Sequence, residues 1–499
     1  MSLTTQAYPE FLQDFKKTLR HLFHDQADIN QLSLERGLPP EILSGIMAKN
    51  PLSVAIPAEF GGRGCVVKEC LGILSAASYE SLSLSLTFGI NIALFLEPVA
   101  KYADNSVKHE IFNRFLKEAN MGGLMITEPN YGSDALNMKT AYRELENSFT
   151  IKGQKHWQGL TGMADYWLIA SRKELSGGEL ARDIDFFICD VRQDKQKIIV
   201  EELFDNPGLY LIPYGLNTVD VEVPSNFKLQ PESTGIKMML DILHRSRLQF
   251  PGMGMGFIKR MLDEAVSHCK NRIVGSGNLL ALDGVQFQLA RIQTAFTIAS
   301  AMCAKSSSIS GIAYNLASEG IQANTMKAVV TDLMQESAQL LVQLSGSKGY
   351  KTTHIGGRGI MDSRPFQIFE GSNEMLYGQI ADMVLRAMKK QKQPSLYDYL
   401  ADFDLTRQAA PHFKKDLNFS PDANLAQRKL VDLGKIIARI VCIAYVLELE
   451  KNGFRKDLVE NCIVMVKQEI GGLISAFHFK NTVSVIEDYD TDSLWLDFV

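Results

Sequence analysis

One acid in this chain stands where it could take a proton. In the run MDSRPFQIFEGSNEMLYGQI, Met361 to Ile380, Glu370 lies between an apolar segment and a glycine. Phe366, Ile368 and Phe369 predict an apolar wall. Gly371, Ser372 and Asn373 predict a turn whose backbone can approach a ligand closely. A carboxylate beside apolar residues has its charged form penalised, which raises its pKa toward that of a general base. Standing alone, the arrangement fits a solvated acid better than a catalyst, so the rest of the chain has to decide.

Three further groups could carry chemistry. Thr127 to Asp134, TEPNYGSD, is a turn dense in hydroxyls and amides that could hold a flavin or phosphate, and it reads more readily as an Asx-type turn. Trp157, in HWQGLT, could stack on a cofactor ring, although a buried core indole is the stronger default. Arg245, Arg247 and Arg272 could grip phosphate or lie on the surface. Neither a P-loop nor a GxSxG elbow is present, and no metal site is expected: His21 and His24 lack ligand partners at useful spacing.

These groups need a scaffold, and 499 residues are too many for one core. Residues 1–121 read as a helical domain, from periodic segments such as EFLQDFKKTLRHLF. Residues 122–235 change texture, with short β-branched runs between turn residues, which predicts a compact β domain. Residues 236–390 return to long amphipathic helices, the first read from GMGFIKRMLDEAVSHCKNRI, and predict a bundle. KKQKQPSLYDYLADFDLTRQAAPHF, residues 389–413, reads as a joint, and residues 391–499 form an additional helical region. The expected class is mostly α with a central β domain.

A formal net charge of -5, from 52 basic and 57 acidic residues, argues against nucleic acid or an anionic membrane as partner. Seven scattered cysteines without a CxxC fit reduced thiols. The N-terminus lacks the apolar core of a secretory signal, and the best membrane candidate, Ile436–Leu447, is too short to span and contains Arg439. No transmembrane segment and a cytoplasmic location are the expectations.

Taken in order, IPAEFGGRG, ITEPNYGSD, GQKHWQGLTGMADYWLIAS, VDVEVP, HRSRLQFPGMGMG, QLSGSKGY and DSRPFQIFEGSNE resemble the motifs of the acyl-CoA dehydrogenase family of FAD flavoproteins, over residues 10–388. The resemblance implies a helical domain, a β-barrel-like middle domain and a four-helix bundle, with the last hundred or so residues as an appendage. It implies dehydrogenation of a fatty acyl-CoA thioester, as in β-oxidation. Glu370 would remove the α proton while hydride passes from the β carbon to flavin N5, giving a trans-2-enoyl product. Electrons would leave to an electron-transfer flavoprotein, and the protein would be a homodimer or homotetramer.

Residue by residue, the resemblance puts Leu124, Ile126, Thr127 and Ser133 against flavin and thioester, and Trp157 against the flavin ring. It gives Arg272, Gln343 and Gly346 to a neighbouring subunit's FAD, Ser372 and Glu374 to FAD phosphates and adenine, and Arg247 to the nucleotide part of acyl-CoA. Glu370 and Gly371 would receive the thioester. The chain departs from the pattern at Gly159, where a hydroxyl usually donates to flavin N5, and Thr161 substitutes only if the strand bulges. Gly275-Ser276, Asp283, Ser347, Met361 and His244 depart too. Alternatives are a relative that uses an acyl-carrier-protein thioester, an oxygen-using oxidase, or a flavin-binding scaffold or nucleic-acid-associated protein with little turnover.

Overall fold

Phe11, Phe15 and Leu19 recur at four-residue steps along Tyr8–Arg20, and that stripe is the buried face of helix α1. The structure, a computed structural model, describes residues 6–422 and 424–499. Helices α2 (Ile29–Leu32), α3 (Pro40–Met47), α4 (Val67–Glu80), α5 (Leu82–Asn91), α6 (Glu97–Tyr102) and α7 (Asn105–Lys117) follow. Ser81 caps α5 by accepting the Leu84 N–H at 3.3 Å.

The run Leu82–Tyr102 is long and apolar enough to cross a bilayer, and 94% of its apolar window is buried inside the protein. It is a core helix, and a longer apolar run than Ile436–Leu447. The two histidines of the N-terminal segment do have acidic neighbours: His21 Nδ1 lies 3.2 Å from Asp25 and His24 Nε2 lies 2.7 Å from Glu80. Sequence spacing alone concealed the second pair, because Glu80 arrives from α4.

Strands β1 (Gly122–Met125), β2 (Ala141–Glu144), β3 (Ser148–Gly159), β4 (Tyr166–Lys173), β5 (Asp185–Asp190), β6 (Ile199–Leu203) and β7 (Tyr214–Pro224) form one sheet. Its order is β1-β4-β2-β3-β7-β6, with β5 added to β4. On β3, Phe149 and Ile151 stand opposite Val223 and Val221 of β7, a buried row from period-two alternation. β3 bulges at Trp157: His156 pairs with Leu216 and Gln158 with Gly215, leaving Trp157 unpaired at φ 63°.

Helix α8 (Gly235–Asn271) starts well before the GMGFIK segment and runs through Pro251. Proline is a poor mid-helix residue, so the sequence pattern understated this helix. Close packing carries it. A Cβ on Gly254 would lie 2.3 Å from Val330, and one on Gly256 2.0 Å from the Ser75 carbonyl oxygen.

The short hairpin of β8 (Ile273–Val274) and β9 (Gly277–Asn278) leads into α9 (Asp283–Ile309), α10 (Gly320–Ser345), α11 (Ile355–Ser363) and α12 (Asn373–Gln391). Beyond them lie α13 (Leu396–Asp402), α14 (Lys414–Leu417), α15 (Gln427–Lys451) and α16 (Lys456–His478).

The segment 389–413, expected as a joint, is packed structure: Leu396, Leu400 and Phe413 are fully buried. Its polar residues masked three anchors. α15 lies directly on α12, where a Cβ on Gly434 would come within 1.9 Å of the Tyr377 carbonyl oxygen. Gly434→Ala should therefore cost about 1–3 kcal/mol of stability by overpacking. Denaturant unfolding would read this as a lowered midpoint, and an unchanged midpoint would contradict the close approach.

Candidate active site

The peptide that carries Glu370 is bent in an unusual way. Glu370 has φ 52° and Gly371 φ 92°, two successive left-handed residues between a 3-10 turn (Arg364–Gln367) and α12. Glycine suits the second, because a side chain is strained at φ 92° whatever the space around it. Ser372 then caps α12, its hydroxyl accepting the Met375 N–H at 3.4 Å.

Phe366 and Phe369 stand 5.0 Å apart, and Phe250 of α8 packs on both at 5.9 and 6.1 Å. Ile368, expected in this wall, is 58% exposed. The turn rotates it outward and Phe250 supplies the third apolar surface.

Both carbonyls of the bend are held by buried cations. Arg247 donates to the Glu370 carbonyl oxygen from Nη2 at 2.8 Å and Nε at 3.2 Å, and from Nη1 to Asn324 Oδ1 at 2.8 Å. Lys327 donates to the Gly371 carbonyl oxygen at 2.8 Å and to Asn373 Oδ1 at 3.0 Å.

The carboxylate is held on one side only. Ser246 donates to Oε1 at 2.8 Å, while Oε2 is buried without a partner among the described residues. Burial pushes the Glu370 carboxyl up, and Arg247, Ser246 and Lys327 pull it part of the way back. Burial also drives Lys327 down to about 7, with Glu370 the main opposing influence.

Arg247 is thus a buried side chain that supports the Glu370 carbonyl and Asn324, not a surface arginine. Ser246, Asn324 and Lys327 were missed by sequence reasoning. Lys327 had a visible signal: a lone lysine between Ala323, Met326 and Val330 on an apolar helix face.

On the sheet side, the chain after β1 is braced by β3. The Thr127 carbonyl accepts the His156 N–H at 2.9 Å and Gln158 Nε2 at 3.1 Å. Lys155 donates to the Ile126 carbonyl at 3.0 Å and to Glu128 at 3.1 Å. Leu124, Ile126 and Thr127 are half-buried, and Ser133 is exposed. Trp157 is 49% exposed, not the core indole favoured by default, because the bulge turns it outward. Phe204 packs on it at 4.6 Å and Tyr214 at 6.0 Å.

The strand does bulge, yet Thr161 does not take over the missing hydroxyl. Its hydroxyl is buried, donating to the Gln158 carbonyl at 2.8 Å and accepting from Asn217 Nδ2 at 3.0 Å. A Cβ on Gly159 would lie 2.8 Å from Ile90 Cδ1. Apolar atoms therefore crowd the place of the usual side chain.

Arg272, Gln343 and Gly346 gather elsewhere. α8 and α10 run side by side in one direction: Arg247 meets Asn324, Gly254 faces Val330, and further along both Lys348 and Arg272 help burial to lower the His268 pKa. Gln343 lies about 24 Å along α10 from Lys327 at 1.5 Å per residue. All three residues are exposed at that far end, and Glu374 is exposed beside Ser372.

The profile for "Acyl-CoA dehydrogenase, middle domain" matches residues 123–216, and that for "Acyl-CoA dehydrogenase, C-terminal domain" matches 233–385. An acyl-CoA dehydrogenase of Bacillus subtilis (strain 168) is 23% identical over 329 residues, covering 65% of this chain and 84% of that protein. Among solved structures, an acyl-CoA dehydrogenase from Bacillus anthracis complexed with FAD superposes with TM-score 0.74 at 18% identity, covering 93% of this chain and 87% of that one. The prolyl acyl carrier protein oxidase AnaB gives TM-score 0.68 at 17% identity, covering 75% of this chain and 98% of that one.

The chain belongs to the acyl-CoA dehydrogenase family, with helices beyond the common core, and is an FAD-dependent oxidoreductase of that type. Its residues fit the cofactor: Trp157 offers a half-exposed indole face on which a flat ring can stack.

The Ser246 bond favours the ionised form of Glu370, so Ser246→Ala should raise the pH at which the base ionises. The acid limb of the kcat/KM profile should move to higher pH. An unmoved limb, or one moved downward, would contradict this geometry.

Proposed function

We propose that the chain oxidises a saturated fatty acyl-CoA thioester at its α and β carbons, with Glu370 as the base. The observation that carries this reading is the one-sided carboxylate: Ser246 holds Oε1, and Oε2 has its lone pairs free in a buried position. A base whose charged form is penalised by burial binds the α proton more strongly than a solvated acid would. Arg247 and Lys327 hold the two carbonyls and so fix the direction of the Glu370 carboxylate and N–H. By the family pattern that N–H donates to the thioester oxygen as negative charge develops on it. FAD, when bound, supplies the acceptor for the β hydrogen.

A cavity of about 360 Å³ fits an apolar ligand portion. Leu38, Leu43, Leu84 and Met163 line it together with Phe204 and Tyr214, the rings packed on Trp157. Leu124, Ile126, Thr127, Ser133 and Trp157 would meet the flavin, and Ser372 and Glu374 its phosphates and adenine. Gly371 would line the thioester site. Arg272, Gln343 and Gly346, remote from Glu370 and exposed, would serve the FAD of a second copy in a homodimer or homotetramer. An electron-transfer flavoprotein would accept the electrons.

The apolar crowding at Gly159 and the inward-turned Thr161, which remove the usual hydroxyl donor to flavin N5, favour a second reading in which oxygen is the acceptor. Release of hydrogen peroxide without a protein acceptor would support the oxidase.

Anaerobic mixing of the FAD-loaded protein with a panel of acyl-CoA thioesters should bleach the flavin. Glu370→Gln should retain FAD and lose bleaching by at least about a hundredfold. Normal bleaching by that variant would remove Glu370 from the role of base.

A further inference from the structure

The bend at Glu370 is tied to helices that lie outside both matched family segments. Asp332 of α10 accepts from Gln367 Nε2, before the base, and from Asn373 Nδ2, after it, each at 2.7 Å on Oδ1. Asn373 Oδ1 in turn accepts from Lys327, which holds the Gly371 carbonyl. The other oxygen of Asp332 accepts from the Tyr377 hydroxyl at 2.7 Å.

Arg439 of α15 donates from Nη1 to the Tyr377 oxygen at 3.4 Å, and from Nε to Glu469 of α16 at 2.7 Å. Tyr377 is fully buried, Asn373 and Arg439 nearly so. A buried arginine has a high desolvation cost, and here it is met by one carboxylate and one phenol. Gly434 permits the contact by letting α15 touch the backbone at Tyr377.

We infer that Arg439 and Tyr377 are positioning residues for the base, so that the appended helices complete the active site instead of merely covering the bundle. The path is continuous: Glu469, Arg439, Tyr377, Asp332, then Asn373 and Gln367 on the two sides of Glu370. Hydrogen-bond chains of this kind polarise and orient one another in a low-dielectric interior. Removing the arginine leaves Tyr377 with one partner and frees Asp332 to shift, which loosens both ends of the bend. Small misplacements of a catalytic group act on the chemical step more than on binding.

The inference rests on the proposed role of Glu370, and its test keeps the two apart. The full-length FAD-loaded protein is compared with Arg439→Met, Arg439→Lys and Tyr377→Phe. Two measurements are made: the anaerobic bleaching rate per bound flavin against acyl-CoA concentration, and amide hydrogen exchange of peptides spanning 366–376 and 148–159.

Arg439→Met and Tyr377→Phe should each lower the limiting rate about tenfold, with half-saturation changed less than about twofold. Arg439→Lys should recover part of the rate. Exchange should quicken in 366–376 and stay unchanged in 148–159. Unchanged rates and unchanged loop exchange would overturn the inference, reducing α15 and α16 to packing elements. If no thioester bleaches even the unaltered protein, the proposed function fails, and the exchange data still decide whether α15 holds the bend. Tyr377→Phe, which deletes a single oxygen, keeps the test decisive if Arg439→Met does not fold.

Discussion

Arg247 and Lys327, with no carboxylate among their hydrogen-bond partners in the described residues, hold the carbonyls of a left-handed bend, and the candidate site depends on that clamp. A non-glycine residue in the left-handed region costs about 1–2 kcal/mol, and Glu370 is one. A charge-assisted hydrogen bond contributes about 1.5–3 kcal/mol net, so the Arg247 contact alone can offset the strain. Lys327 secures the next carbonyl, and the charge of Glu370 opposes the lowering of its pKa that burial imposes. The arrangement is reciprocal. Glu370 raises the proton affinity of the lysine that holds its turn, and the same lysine lowers that of Glu370.

The parallel course of α8 and α10 divides the remaining candidate residues into two groups. Ser246, Arg247, Asn324 and Lys327 surround Glu370 and its bend at one end. Arg272, Gln343 and Gly346 are exposed toward the other. Trp157 stands apart from both on the sheet, where a bulge turns a large indole outward that period-two pairing would have assigned to one face. The sheet also explains the loss of the usual hydroxyl. Gly159 lies against Ile90 and Tyr214, and the hydroxyl two residues later is spent within its own turn and on Asn217.

The helical, β and helical order could be read from periodicity, and Glu370 from its motif, because both are local patterns. What surrounds Glu370 could not. Ser246 is 124 positions away in sequence, and Asn324 and Lys327 reach the bend from a third helix. Arg247 was visible as a residue but not as a support, since an arginine's burial is set by the helices that enclose it. Ile368 lies outside its expected wall, and the default core position of Trp157 fails, for one reason: a turn and a bulge each reversed the side on which a regular pattern would put them. Pro251 hid the length of α8, which depends on glycine contacts with α4 and α10.

As the proposed base, Glu370 takes a proton from the carbon next to the thioester. An acyl-CoA carrying deuterium only at that carbon tests it most directly, in anaerobic stopped-flow bleaching of the FAD-loaded protein. Bleaching should be slower than with the unlabelled thioester. Equal rates for the two, where single-turnover bleaching is limited by chemistry, would contradict it.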